Sequence, residues 1–129
     1  MRTVVKTSQA PVAIGPYEQA IAFQGVLYTS GQIPLDLNGD LVEGGIEAQT
    51  RQCLENLAAI CRAAGTSLGQ ALKVTIYLTD MDHFQSCNQI YQQYFERSRP
   101  ARSCVAVKAL PKGAQVEIEG VFALEDEQR

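Results

Sequence analysis

Two short runs of alternating residues, joined by Pro111-Lys112-Gly113, lie between residues 100 and 121 of this sequence. Alternation with a period of two predicts β-strands, and the Pro-Lys-Gly sequence predicts a tight connection between them. A strand of this kind buries its apolar face in a core and turns its polar face away from that core. The chain must therefore build a sheet with an apolar core on one side.

The two runs also predict which side chains share a face of the sheet. The predicted core-facing positions are Ser103, Val105, Val107 and Ala109 in the first run, and Val116, Ile118, Phe122 and Leu124 in the second. The opposite positions are Arg102, Cys104, Ala106 and Lys108 in the first run, and Gln115, Glu117 and Glu119 in the second. If the two strands pair, an arginine, a thiol and two carboxylates lie on one common surface.

Two interpretations of this surface are open. Charged residues are expected on the solvated face of a one-sided antiparallel sheet. However, Cys104 and Ala106 lie between the charges, and neither residue suits an exposed strand face. Their presence favours a semi-buried polar face that another subunit covers.

The remaining sequence predicts four more strands and two helices. Alternation and apolar spacing predict strands at 2–7, 20–23, 26–29 and 71–79, and helices at 46–64 and from Asp80 or Asp82 to about Arg97. The charged residues 125–129 predict a frayed tail. One sheet with two helices on its apolar face is an α+β architecture, and residues 1–129 are expected to form a single domain.

Composition excludes several classes of function. The 11 basic and 14 acidic residues give a net charge of −3, which argues against a nucleic-acid partner. No apolar run reaches the roughly 20 residues that span a bilayer, and the first residues lack a signal-peptide core, so a cytoplasmic protein without membrane contact is expected. The four cysteines have no metal-site spacing and predict reduced thiols. His83 is the only histidine and is expected to be an ordinary surface residue.

Three positions outside the two strands have both a structural and a ligand-binding interpretation. Tyr17 follows a turn-rich loop, where it is either a packing residue or a ligand contact. Ser30 and Gly31 form either a simple turn or a place where backbone N–H groups approach a small anion. Asn88 lies inside the apolar stripe of the second helix, so it either bonds to backbone or faces a ligand.

Arg102 and Glu117 together suggest hydrolysis next to a carboxylate. A guanidinium offers two parallel N–H donors to a carboxylate, and a glutamate that is ionised at neutral pH can polarise a water. One group holds a small acid, and the other activates its attacker.

Five sequence blocks occur in order along nearly the whole chain: AIGPYEQA at 13–20, TSGQIP at 29–34, RSCV at 102–105, LPKGA at 110–114 and VEIE at 116–119. These blocks resemble the Rid family of reactive-intermediate deaminases, also called the YjgF family. The sequence most resembles the RidA branch, because Arg102, Cys104 and Glu117 occur together.

The resemblance implies a chorismate-mutase-like fold that assembles as a homotrimer with sites between subunits. It also implies a substrate, the imine form of 2-aminoacrylate or 2-aminocrotonate, which is hydrolysed to a 2-keto acid and ammonia. In this family pattern Arg102 binds the substrate carboxylate, and Glu117 directs water onto the imine carbon and returns a proton to nitrogen. No metal or cofactor is implied.

The same resemblance implies roles for five further residues. Tyr17 lies over the ligand, Ser30 and Gly31 lie beside it, Asn88 lies at the pocket, and Cys104 forms part of its wall. Glu119 shares the predicted face of Glu117, so the two assignments could be exchanged, although the spacing from Leu110-Pro111 favours Glu117. Gly120 departs from the pattern, because alanine is common there.

Two alternative functions remain open. Some relatives are described as endoribonucleases or translation inhibitors, but the acidic balance and the single histidine argue against that activity here. A non-catalytic ligand-binding or chaperone-like trimer would use the same cleft without turnover.

Overall fold

The computed structural model describes residues 1–124; the tail at 125–129, expected to be frayed, lies outside the described residues. The strands are β1 (Thr3–Val5), β2 (Ala20–Phe23), β3 (Val26–Thr29), β4 (Ala71–Leu78), β5 (Ala101–Ala106) and β6 (Val116–Ala123). The α-helices are α1 (Gly45–Ala63) and α2 (Phe84–Phe95). Short 3-10 helices cover Leu68–Gln70, Met81–His83 and Pro111–Gly113.

The strands within residues 1–124 form one mixed sheet in the order β1-β2-β3-β6-β4-β5. All neighbours pair antiparallel except β4 and β5, which are parallel. The expectation that the two strands of 100–121 could pair with each other is therefore wrong, because β4 lies between β5 and β6. The 3-10 helix at Pro111–Gly113 belongs to a connection that crosses β4 rather than to a hairpin turn.

Both α-helices pack on one face of the sheet, which confirms the predicted α+β architecture. The core that they enclose consists of buried side chains from α1, α2, β4 and β6: Leu54, Leu57, Ile90, Phe95, Val74, Ile76, Leu78, Val116 and Ile118. A second cluster joins α1 to β2, β3 and β6 through Ile60, Ala20, Leu27 and Phe122. Burial of these apolar side chains is the main force that fixes the helices to the sheet.

Local signals place the ends of the elements close to the predicted positions. The β2–β3 hairpin turns at Gln24 and Gly25, whose φ values of 52° and 80° match the left-handed conformation of a two-residue hairpin loop. Helix α1 ends at Ala63, and Gly65 follows the C-cap residue with a φ of 82°. The N–H of Thr66 donates to the carbonyl of Cys61. The Asp80 carboxylate accepts from the N–H of Asp82 and begins the segment before α2.

The predicted faces are right for β6 and wrong for β5. In β6, Val116 and Ile118 are buried, and Glu117 and Glu119 lie on the opposite face, which we call the open face. In β5, however, Cys104 pairs with the buried Ile76, so Arg102, Cys104 and Ala106 lie on the helix-covered face. Ser103 and Val105 lie on the open face instead, where Val105 is 42% exposed.

The open face carries apolar and aromatic side chains as well as charges. Val4, Phe23 and Tyr28 are exposed there, in addition to Val105. The half-buried Thr75 and Tyr77 lie nearer the centre of the sheet, opposite Glu119 and Glu117 respectively. An exposed patch of this kind is typical of a surface that another protein chain covers, but the predicted homotrimer stays a prediction.

The ring of Phe122 fills the space beside Gly120. Gly120 lies on the helix-covered face of β6, and a Cβ at this position would come within 2.6 Å of the ring of Phe122. The Phe122 ring therefore occupies the space that an alanine would need. The pairing of β6 with β4 shifts register beside this position, between Ala71 and Lys73.

Candidate functional site

Arg102 is held on the helix-covered face by residues of α2. Its Nη1 donates a 2.6 Å hydrogen bond to Oδ1 of Asn88. Its guanidinium carbon lies 4.7 Å from the centroid of the Tyr91 ring and 5.6 Å from that of Phe84. Both distances are within the range of a cation–π contact. We call this group, Arg102 with Phe84, Asn88 and Tyr91, the clamp half-site.

The clamp half-site opens into a surface cavity of about 370 Å³. Its walls come from α2, the segment after it and the start of β5: Asn88, Tyr91, Gln92, Phe95, Glu96, Arg99, Pro100 and Arg102. The only hydrogen-bond partner of the guanidinium among residues 1–124 is Asn88, so the remaining N–H groups are available to a ligand. The Asn88 side chain bonds to Arg102 rather than to backbone, and it lines the cavity; a direct contact with a ligand stays a prediction.

Glu117 lies next to Gly31 on the other side of the molecule. Backbone hydrogen bonds between Gln32 and Ile118, of 2.8 and 3.1 Å, bring the segment after β3 alongside β6. A Cβ at Gly31 would overlap Oε2 of Glu117 and would lie 2.8 Å from its Cδ. Only glycine therefore allows the Glu117 side chain to take this position. We call Glu117, Gly31 and Tyr17 the carboxylate half-site.

Burial raises the pKa of the Glu117 carboxyl, and the negative charge of Glu119 raises it further. Burial also raises the pKa of Tyr77, which pairs across from Glu117, and the Glu119 carboxylate adds to that effect. A carboxylate with a raised pKa is a stronger base than an ordinary glutamate, and the acid that it forms can return the proton. Gly31 lies against Glu117 rather than Glu119, so Glu117 is the carboxylate that faces the 29–34 segment.

Tyr17 and Gly31 line a second cavity of about 420 Å³, together with residues of the 11–14, 32–35 and 111–112 segments. The Tyr17 hydroxyl accepts a hydrogen bond from the N–H of Ile14, and the side chain is 52% exposed. The Ser30 hydroxyl donates to the carbonyl of Glu18 at 2.5 Å, so it fixes the loop that carries Tyr17. Ser30 is thus a support for this half-site in the free subunit.

Cys104 lies on the same face as Arg102 and is partly buried against the core. Burial raises the pKa of its thiol, although the positive charge of Arg102 opposes that effect. A protonated thiol is a poor nucleophile, which argues against covalent catalysis by Cys104. Cys104 is not among the residues that line the cavity beside Arg102 in one subunit, so its place in a ligand-binding wall stays a prediction.

The two half-sites do not share a surface, which corrects the expectation that Arg102, Cys104 and Glu117 lie together. Arg102 pairs with Val74, which in turn pairs with Gly120. Glu117 is three residues away from Gly120 along β6 and on the opposite face. The sheet backbone separates the two side chains, and three residues of strand add about 10 Å along it. A small molecule cannot contact both groups of one subunit.

Phe84 and Tyr91 were not foreseen as parts of the site. Their spacing of seven residues placed them on the apolar stripe of α2, where aromatic residues are usually core. Tyr91 is indeed buried, but the face of its ring is turned to Arg102. The only sequence signal was that Asn88 lies between them on the same helix.

Neither a metal site nor a membrane span is found in the described part of the chain. Residues 1–124 contain no group of three or more His, Cys, Asp or Glu side chains that could hold a metal ion. Within the same range, neither α-helix is long and apolar enough to cross a bilayer.

The fold and the two half-sites define a small α+β protein that carries Arg102 and a partly buried Glu117 on opposite faces of its sheet. Residues 7–124 match the family model described as Endoribonuclease L-PSP. The chain belongs to this family, also known as the Rid or YjgF family.

Relatives agree with this assignment. A RutC family protein of Pyrococcus horikoshii is 49% identical over 122 residues, which cover 94% of this chain and 97% of the relative. The 2-iminobutanoate/2-iminopropanoate deaminase of mouse is 45% identical, over 94% of this chain and 90% of the relative. A crystal structure of a Rid family protein of unknown function from Yersinia pestis has a TM-score of 0.93 at 50% identity, covering 96% of this chain and all of the other.

Proposed function

We propose that this protein hydrolyses short 2-imino acids, the imine forms of 2-aminoacrylate and 2-aminocrotonate, to 2-keto acids and ammonia. The observation that carries the proposal is Glu117, a carboxyl group with a raised pKa that is given its place by Gly31. The arginine clamp supplies the matching group for the substrate carboxylate. A mouse relative at 45% identity is named a 2-iminobutanoate/2-iminopropanoate deaminase.

The proposed reaction needs one water and no cofactor or metal. Arg102 holds the substrate carboxylate through two N–H donors. The imine reacts with its nitrogen protonated: Glu117 takes a proton from water as the water oxygen bonds to the imine carbon, which gives a neutral carbinolamine. Glu117 returns that proton to the nitrogen and then takes the hydroxyl proton as the C–N bond breaks and the carbonyl forms. Ammonia leaves, and the Glu117 carboxyl releases its proton to solvent. Positioning and proton transfer are sufficient for such a reactive substrate.

Two subunits are required by this proposal, because Arg102 and Glu117 of one chain lie on opposite faces of the sheet. We infer a closed homotrimer in which the clamp half-site of one subunit faces the carboxylate half-site of its neighbour. Tyr17, Ser30 and Gly31 then lie on the Glu117 side of the ligand, and Asn88 and Cys104 lie on the Arg102 side. The exposed apolar residues of the open face are the surface that such a ring would bury.

The first test couples a serine or threonine dehydratase to semicarbazide, which traps the free imine as a semicarbazone. The wild-type protein is expected to suppress semicarbazone formation, and Arg102→Ala and Glu117→Ala are expected not to do so. Equal suppression by wild type and both variants would exclude the mechanism. Binding of a keto acid without any turnover would instead identify a ligand-binding module.

Mixed trimers test the division of the site between subunits. Arg102→Ala and Glu117→Ala subunits are unfolded together and refolded at equal amounts. Random assortment gives roughly one quarter of interfaces an intact pair, so about a quarter of wild-type activity should return. Activity that stays at the level of the separate variants would show that both groups act within one subunit.

The family description as an endoribonuclease is tested on the same preparations. Rigorously purified wild-type protein is incubated with RNA beside Arg102→Ala. Cleavage that copurifies with the protein and disappears in the variant would support that function over imine hydrolysis.

A further inference from the structure

We propose that Tyr91 is a positioning residue for Arg102 and that its ring sets the direction in which the guanidinium meets a carboxylate. The guanidinium carbon lies 4.7 Å from the Tyr91 centroid, closer than the 5.6 Å to Phe84. Tyr91 also lines the cavity into which Arg102 opens. This inference rests on the proposed function, since it concerns the same clamp.

The ring, and not the hydroxyl, makes the contact that matters. The Tyr91 hydroxyl oxygen is buried and has no hydrogen-bond partner among residues 1–124. A buried polar group without a partner costs stability, so the hydroxyl does not account for the orientation of the ring. Tyr91 stacks instead on Phe95, with the two centroids 4.6 Å apart, and this packing holds the ring under the guanidinium.

Asn88 and Tyr91 restrict how a ligand reaches the guanidinium. Arginine has five N–H donors in one plane, and the donor on Nη1 that faces Asn88 is already used. The guanidinium carbon lies over the Tyr91 ring, so a ligand cannot approach it from the side of that ring. A carboxylate therefore meets the guanidinium edge-on, through parallel N–H donors, in the cavity beside α2.

Loss of the ring should weaken ligand binding more than it slows the chemistry. The carboxylate is bound in the ground state and in the transition state alike, so a weaker clamp raises KM with little change in kcat. Tyr91→Leu should raise KM for the imine by about two- to thirtyfold, the range expected for the loss of one cation–π contact. Tyr91→Phe keeps the ring and should restore most of the affinity.

The experiment measures binding and turnover separately. The dissociation constant of 2-oxobutanoate is measured by NMR titration of the full-length protein for wild type, Tyr91→Leu and Tyr91→Phe. KM and kcat for the dehydratase-generated imine are measured on the same samples. If wild type binds the keto acid but hydrolyses no imine, the proposed function fails, and the binding series still tests the role of Tyr91. If wild type hydrolyses the imine but does not bind the keto acid, KM becomes the readout, and equal KM values in wild type and Tyr91→Leu overturn the inference. A wild type that neither binds the keto acid nor hydrolyses the imine overturns both.

Tyr94→Leu is the matched control. Tyr94 is on the same helix and contacts a different arginine, Arg51, whose guanidinium carbon is 6.0 Å from its ring. A general loss of helix packing would affect both leucine variants, whereas the proposed role predicts weaker binding only in Tyr91→Leu. Equal dissociation constants in wild type and Tyr91→Leu, or equal losses in both leucine variants, would overturn the inference.

A measurement on the wild-type protein covers the case in which Tyr91→Leu does not fold. Protons of a guanidinium that lies over an aromatic ring are shifted upfield by the ring current. The side-chain Nε–H of Arg102, assigned by its disappearance in Arg102→Lys, should resonate upfield of the other arginine signals. A signal within the range of the exposed arginines would refute the contact.

Discussion

Alanine in place of Gly31 should disable Glu117 while leaving the fold largely intact. The new Cβ would overlap Oε2 of Glu117 and would lie 2.8 Å from Cδ and 3.1 Å from Cγ. The carboxylate must therefore retreat by more than about 1 Å to reach an ordinary van der Waals separation. The group that moves is the flexible end of a side chain, and the φ of Gly31 is not in the left-handed region, so the backbone can accept alanine.

The size of the effect follows from that displacement. Misplacing a catalytic group by about 1 Å can lower the rate about 100-fold, so Gly31→Ala should lose about two orders of magnitude in kcat. The free energy of unfolding should change by about 0.5 kcal/mol or less. The semicarbazide assay gives the first quantity, and thermal unfolding at pH 7 gives the second.

Two comparisons separate this explanation from general damage. Gly69→Ala is the matched control, because a Cβ there meets only the Ser67 hydroxyl at 3.5 Å. In a Glu117→Ala background, Gly31→Ala should cause no further loss of activity, since the side chain that it displaces is already absent. A folded Gly31→Ala protein with full activity, or an equal additional loss in the Glu117→Ala background, would refute the reasoning.

Three further predictions concern stability and thiol chemistry. Because folding raises the pKa of Glu117, its ionised form lowers the free energy of unfolding at pH 7. This destabilisation disappears as the pH falls through the raised pKa and the carboxyl becomes protonated. Glu117→Gln should therefore raise Tm at pH 7 and lose that advantage by about pH 4. Gly120→Ala should lower the free energy of unfolding by about 1–3 kcal/mol through its clash with Phe122, and Phe122→Leu should relieve part of that loss in denaturant melts. Burial raises the pKa of Cys61 to about 12, so only about one Cys61 thiol in 10,000 is ionised at pH 8. Because the thiolate is the form that reacts, mass spectrometry should find Cys61 unlabelled after brief alkylation of the native protein.

The sequence was sufficient for the architecture because the strongest signals were local. Gln24 and Gly25 adopt the positive φ values that a hairpin loop requires. Gly65 adopts the positive φ that is common just after the end of a helix, as predicted for α1. In β6, buried and half-buried positions alternate without interruption, so every face assignment from Val116 to Phe122 was right.

The sequence did not predict which side chains of β5 face the helices, because that strand lies at the edge of the sheet. Apart from Arg102, its residues are of small or moderate size on both faces, and all except Cys104 are exposed. Its faces are set by pairing with β4, where Cys104 lies beside the buried Ile76. That pairing is parallel and joins segments separated by α2, so alternation within β5 alone could not reveal it.

The position of Arg102 and Glu117 on opposite faces of the sheet explains how Glu117 keeps the raised pKa that the proposed reaction needs. A guanidinium beside Glu117 in the same subunit would lower the pKa of the carboxyl and would pair with it, so neither group would be available to substrate. Instead, burial and the charge of Glu119 raise the pKa of Glu117, and Arg102 bonds to the neutral Asn88 on the far face of the sheet. If assembly brings the two half-sites together across an interface, the substrate carboxylate enters between them and neutralises the arginine itself. The pKa of the glutamate then stays raised, whereas a preformed Arg102–Glu117 ion pair would lower it.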